Sequence, residues 1–366
     1  MGHVVLSHDF WRGRKVLVTG HTGFKGSWLS LWLESMGASV VGYASARSVG
    51  RAPGSWASLF ELARVGDGVE SADGDVRDRA RLEDVMARAN PDVVFHLAAQ
   101  PLVRRSYEDP AGTFESNAIG TVNVLEAART SGDVRAIVNV TTDKVYANRE
   151  LDRGYVEDDP LGGSDPYSAS KSCSEVLTAA YRSSFFSREG PAVATARAGN
   201  VIGGGDWGVD RLIPDVIRAA TEGRATPIRS PGAVRPWQHV LNPLSGYLLL
   251  AERLSESREL AQAWNFGPDP EDARPVSWIL ERLRELWGEG LEWEQDAGPH
   301  PHETNYLRLD SSKAAERLGW RPRWGLERAL ESIVAFHKGV EAGGDARALV
   351  LEQIEAFESE PEGVLS

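Results

Sequence analysis

A short apolar strand that runs straight into a glycine loop and a helix limits what this chain can become. Val16-Leu17-Val18 leads into Thr19-Gly20-His21-Thr22-Gly23-Phe24-Lys25-Gly26, and a helical pattern follows from near Lys25 to Gly37. Glycines let such a loop turn tightly, bring its backbone against a phosphate, and pack a helix closely on a strand. The helix N-terminus adds unpaired N–H groups and a partial positive charge. Any tight turn wants glycine, so the trio alone is weak. Its place between a first strand and a first helix points to a dinucleotide. Gly20, Thr22, Gly23, Phe24, Lys25 and Gly26 are then the residues expected along the pyrophosphate.

The same alternation continues. Val40-Val41-Gly42-Tyr43, a weaker stretch from Val69 to Asp75, Asp92 to Leu97, Ala136 to Val140 and Val193 to Ala196 read as strands. Helical patterns run over Arg79 to Asn90, Thr113 to Arg129 and Pro166 to Phe186, with a Gly/Pro/Ser-rich loop from Ser45 to Ser58. Nearly continuous apolar strands separated by helices predict a parallel sheet covered on both faces, a doubly wound α/β (Rossmann) domain. Beyond Asn200 short helices (Leu212 to Glu222, Pro243 to Leu254, Val276 to Trp287) alternate with Pro- and Gly-rich connections. They predict a smaller C-terminal lobe interwoven with the first domain. The expected division is 1–196 with about 238–266 for the dinucleotide domain, 197–237 and 267–345 for the lobe, and 346–366 for a terminal helix and tail.

Charge excludes one class of partner. Forty Lys and Arg against 53 Asp and Glu give a net charge of −13. Nucleic-acid binding needs a basic face, so it is not expected as a main role. The 366 residues hold no apolar run of about 18, so no membrane span is expected. No signal peptide is read at the start, and Leu6 spoils a myristoylation motif after Gly2. A single cysteine, Cys173, fits a reducing, cytoplasmic setting.

Tyr167 and Lys171 stand four apart on the helix opened by Pro166, hence on one face. An ammonium near a phenol lowers the phenol pKa, which suits a base that takes a proton from a sugar hydroxyl. The pair follows Thr141-Thr142-Asp143-Lys144 at a strand's carboxyl end, where such sheets place ligands. After the second strand stands Ala44-Ser45-Ala46-Arg47, without the acid that usually marks NAD. Arg47 suits the 2′-phosphate of NADP or is a solvated loop charge, so both cofactors stay open. Asp75 and Val76 are placed at the adenine, with a helix-cap role as the alternative for Asp75. His300-Pro301-His302-Glu303 has metal-ligand residue types but no second cluster to complete a set, so no metal is expected.

Together these segments resemble the extended short-chain dehydrogenase/reductases, and within them the branch of 4,6-dehydratases acting on CDP-glucose. The resemblance rests on Thr19–Leu33, His96–Pro110, Thr141–Glu150, Asp165–Lys171, Arg197–Asp215, Arg235–Leu248, Trp264–Pro268 and His300–Glu303. It implies that NAD oxidises C4 of the glucosyl unit, water leaves across C5 and C6, and hydride returns to C6. Tyr167 is then the base, Lys171 its support, Thr142 a hydrogen-bond partner of the C4 oxygen, and Asp143 the acid for the C6 hydroxyl. Lys144 stands where dTDP-sugar relatives carry a Glu that removes the C5 proton. A lysine does so only when desolvated or beside another cation, and otherwise stabilises the enolate.

The resemblance also places Leu97, Ala98, Ala99, Asn117 and Thr141 at the cofactor, and Gln100, Asn200, Arg211, Leu212, Arg235, Trp237, His239 and His302 at the nucleotide sugar. It implies a homodimer or homotetramer joined through the helices Thr113–Arg129 and Pro166–Phe186. The competing readings are a nucleotide-sugar epimerase or reductase, a dehydratase of another nucleotide sugar, and a dinucleotide-binding regulator without turnover. The intact Thr142, Tyr167 and Lys171 set speaks against the last.

Overall fold

The computed structural model describes residues 6–45, 57–296, 298 and 307–360. Seven strands form the central sheet: β1 (Lys15–Thr19), β2 (Ser39–Ala44), β3 (Glu70–Asp73), β4 (Val93–His96), β5 (Ala136–Val140), β6 (Ala192–Arg197) and β7 (Ala263–Asn265). They pair in the order β3-β2-β1-β4-β5-β6-β7. Every pairing is parallel. β4, β5 and β6 are buried along their whole length, and β1 except at Lys15. That is why these strands read as continuous apolar runs and not as alternating ones.

Nine of the helices frame the sheet and the lobe: α1 (Phe24–Ser35), α2 (Arg79–Ala89), α3 (Gly120–Ser131), α4 (Pro166–Ser184), α5 (Leu212–Thr221), α6 (Leu241–Glu256), α7 (Val276–Trp287), α8 (Leu326–Glu341) and α9 (Ala346–Ser359). One face of the sheet packs on α1, α6 and α9 through Trp28, Trp32, Leu244, Leu248, Ile354 and Phe357. The other packs on α2 and α3 through Val85, Met86, Val124 and Leu125. The lobe has its own core, where Ile213, Val216 and Ile217 of α5 meet Ile279, Leu280 and Leu283 of α7 and Leu330 and Ile333 of α8.

Two local differences from the sequence reading have physical causes. The helix expected over Thr113 to Arg129 is interrupted: a short helix Pro110–Phe114 passes into a wide turn at Glu115–Ile119 before α3 begins. Asn117 sits in that turn, and its side chain takes the backbone N–H of Gln100 (2.8 Å) and donates to the Gln100 carbonyl (3.0 Å) and Ser170 Oγ (2.8 Å). Wide turns of this kind recur at functional sites. The edge strands β3 and β7 are only four and three residues long, and β3 is largely exposed, so neither carries a strong apolar signal. Among the described residues, no helix is long and apolar enough to cross a membrane.

Candidate active site

A parallel sheet puts all strand carboxyl ends on one side, and the chain order reverses between β1 and β4. A cleft of about 1660 Å³ opens at that reversal, where doubly wound sheets bind ligands. A single small ligand fills about 300–1,000 Å³, so there is room here for two.

The glycine loop forms one wall. Gly20 has φ +77°, and a Cβ there would meet the Ala98 nitrogen at 2.8 Å. A Cβ on Gly26 would collide with the Gly20 carbonyl oxygen. No side chain caps α1 at Gly23, so its first N–H groups are left for a ligand. Gly20, Thr22, Gly23, Phe24, Lys25, Gly26, Asp75, Val76, Leu97, Ala98, Ala99 and Thr141 all line the cleft. Close glycine packing, a bare helix N-terminus and a long adjoining trough together fit a dinucleotide. Asp75 is gripped by Arg77 (2.6 Å), which holds its carboxyl below the usual range. Arg47 and His302 lie outside the described residues.

Thr142, Asp143, Lys144, Tyr167 and Lys171 meet in the middle of the same cleft. Thr142 caps the turn Asp143–Val145 at the end of β5, and its hydroxyl donates to Asp143 Oδ1 (2.9 Å). Asp143 is buried, whereas Lys144 is exposed to the cleft. Asp165 caps α4 through the Ser168 N–H (3.0 Å), and Pro166 starts the helix, which aims Tyr167 and Lys171 at the turn. The electrostatics differ from the expected lowered phenol. Burial pushes the Tyr167 phenol up to about 12, against a hydrogen bond with Thr142 that pulls it down. Lys171 donates from Nζ to the Val140 carbonyl (3.1 Å), and burial pulls it down to about 8.

The lobe supplies the other wall, with Asn200, Arg211, Leu212, Arg235 and Trp237 all lining the cleft. Arg211 is paired with Asp206 (2.8 Å), which holds its pKa up. Asn200 has φ +47°, and Trp237 is buried with its indole N–H on the Arg274 carbonyl (3.2 Å). Gln100 also lines the cleft, with its side-chain amide spent on Leu102 and Thr113.

Two expected site residues do not reach the cleft. Asn117 is buried and braces Gln100 and α4 from behind. His239 is fully buried between Trp28 and Trp324, and burial pulls its pKa down to about 3. His239 lies inside the segment Arg235–Leu248, yet both residues act one layer behind the site in space.

The sequence reading also passed over residues that the site uses. A Cβ on Gly199 would fall on the Asp143 carboxylate, so this glycine makes room for it. Glu175, one turn after Lys171, is buried and accepts from Thr141 (2.6 Å), Thr195 (2.7 Å) and Arg197 (2.9 Å), which ties α4 to β5 and β6. Lys171 and Glu175 are four apart, and that spacing was the one signal available for it.

A family model described as the NAD dependent epimerase/dehydratase family matches residues 16–267. This chain belongs to that family. It is 50% identical over 348 residues to the CDP-glucose 4,6-dehydratase of Salmonella typhimurium, covering 93% of this chain and 95% of that protein. The fold matches the DesIV dTDP-glucose 4,6-dehydratase of Streptomyces venezuelae with a TM-score of 0.76 at 23% identity, covering 91% of this chain and 99% of that one. It also matches the UDP-glucose 4-epimerase of Thermus thermophilus in complex with NAD, with a TM-score of 0.75 at 26% identity, covering 88% and 99%.

Proposed function

We propose that this chain is a CDP-D-glucose 4,6-dehydratase, which converts CDP-glucose to CDP-4-dehydro-6-deoxy-D-glucose and water. The observation that carries this reading is 50% identity across nearly the full length of both this chain and the Salmonella dehydratase. NAD is the cofactor. It supplies the two-electron acceptor for C4 and the donor for C6, so the reaction is redox-neutral overall.

The residues divide the remaining work. The Gly20–Gly26 loop and the α1 N-terminus hold the pyrophosphate, with Asp75 and Val76 toward the adenine. Tyr167 takes the proton of the C4 hydroxyl, and Thr142 orients that oxygen. Burial alone would make the phenol a poor base, and the ammonium of Lys171, one turn along α4, is the charge that lowers its pKa. A ketone at C4 acidifies the C5 proton. Asp143, buried within reach of Thr142, hands a proton to the departing C6 hydroxyl. Lys144 faces the cleft, where its neutral amine takes the C5 proton and the ammonium so formed stabilises the enolate. Arg211 and Arg235 hold the diphosphate through charge-assisted bonds, with Asn200, Leu212 and Trp237 around the nucleotide.

We divide the chain into a dinucleotide domain (1–196 with about 238–266), a nucleotide-sugar lobe (197–237 and 267–345) and a terminal helix and tail. We also place it in the cytoplasm and expect a homodimer or homotetramer. Ile119, Val176 and Phe185, beside α3 and α4, are large apolar side chains half or more exposed (51%, 58% and 53%), which supports a subunit contact on that face.

Turnover of CDP-glucose carrying deuterium at C4 tests the reaction. A dehydratase delivers the label to C6 of a product lighter by one water. A 4-epimerase keeps the label at C4 and the mass unchanged.

A further inference from the structure

Beyond the arginines, the cleft runs into the lobe and ends against α5 and the strand Ala225–Ile228, which pack on each other. Two polar groups there have no part in the mechanism above. Asp215 lines the cleft four residues beyond Arg211, a rise of about 6 Å along the helix. Its Oδ1 accepts from Arg218 (2.8 Å). Burial pushes its carboxyl up while Arg218 pulls it down. Thr226 also lines the cleft and is 4% exposed, yet its hydroxyl has no hydrogen-bond partner among the described residues. A buried hydroxyl without a partner is unfavourable, so one in the wall of a cleft is a place for a ligand atom.

The chemistry of the pair is selective. A carboxylate offers only acceptor atoms, whereas a hydroxyl turns to donate or accept as required. Cytosine presents an exocyclic 4-amino donor, and uracil and thymine present a carbonyl oxygen at that position. An acceptor-only group at the base end of the cleft therefore attracts the first and repels the others.

We propose that Asp215 accepts a hydrogen bond from the 4-amino group of the substrate's cytosine, with Thr226 bonding the adjacent ring edge, and so sets the preference for a CDP-linked sugar over UDP- and dTDP-linked ones. The assignment rests on the dehydratase reading for the orientation of the substrate. Diphosphate held by Arg211 puts the ribose over the next turn of α5 and the base against Asp215 and Thr226. Asp215 is a specificity residue, remote from the reacting carbons.

Binding of CDP and UDP to the purified full-length protein tests this apart from turnover. Titration calorimetry on the wild type should give tighter binding of CDP by about 10- to 100-fold, the span of one lost charged hydrogen bond. Asp215→Leu should remove most of that ratio, by weakening CDP and not UDP. Asp215→Asn, which keeps the shape and can turn its amide either way, should bring the two nucleotides within a few-fold of each other. In turnover the loss for CDP-glucose should fall on KM and leave kcat close to wild type. Equal binding of CDP and UDP by the wild type, or an unchanged ratio in both variants, overturns the assignment even if CDP-glucose is dehydrated. An Asp215-dependent ratio without dehydration upholds it and overturns the reaction instead.

Discussion

At the scale of single residues, the proposed mechanism assigns proton transfer at C4 and loss of water at C6 to different side chains. Asp143 is buried, bonded to Thr142 at 2.9 Å, and given its space by the bare Cα of Gly199. Asp143→Asn keeps the shape and the Thr142 contact but carries no transferable proton. We expect water loss to slow by about 10²- to 10⁴-fold, read as product formed from CDP-glucose, with the melting temperature unchanged. Gly199→Ala should be as damaging for a different reason, since its Cβ would fall on the carboxylate. An active Gly199→Ala enzyme would show that Asp143 is free to move and is not held as described. Most of the residues named from the sequence line the cleft, because they sit in contiguous motifs at strand ends. Gly199 was not legible in the sequence, because the need for glycine there comes from Asp143, more than fifty residues earlier. His239 was misplaced because an aromatic cage of Trp28 and Trp324 leaves no trace in its neighbours in sequence.

At the scale of elements, the doubly wound pattern was readable because β1, β4, β5 and β6 are buried on both faces. The strand β7 was not, since three residues carry no periodicity. The break before α3 was hidden because the wide turn is stabilised by Asn117 reaching to Gln100 and Ser170, contacts remote in sequence. The wide turn and α4 also present Ile119 and Val176 to solvent. Val176→Lys combined with Ile119→Lys should yield a monomer in light scattering, with the fold retained by circular dichroism. A wild type that is itself monomeric at micromolar concentration would contradict the assembly.

At the scale of the whole molecule, buried histidines couple stability to pH. Burial pulls His96 and His239 down to about 3 and His337 to about 4, from an ordinary value of 6.5. A base whose folded pKa is lowered contributes stability that is complete above the unfolded value and is lost as pH falls through the window below it. That window runs here from 6.5 toward 4. Between pH 7.5 and 5.5 each of these histidines should cost about 1.4 kcal/mol, as should His21, which burial also pulls down to about 4. Asp272 opposes part of this, because burial pushes its carboxyl up to about 6. Urea unfolding at the two pH values should show a clear loss at the lower one. Equal stability at both would mean that these rings are charged or solvated in the folded state.

The most direct measurement is the mass of the product formed when the purified protein meets CDP-glucose and NAD, beside UDP-, dTDP- and GDP-glucose as controls. The account predicts a product lighter by one water from CDP-glucose, with no net NADH and little or no product from the controls. Unchanged CDP-glucose, or net NADH without loss of water, would contradict it.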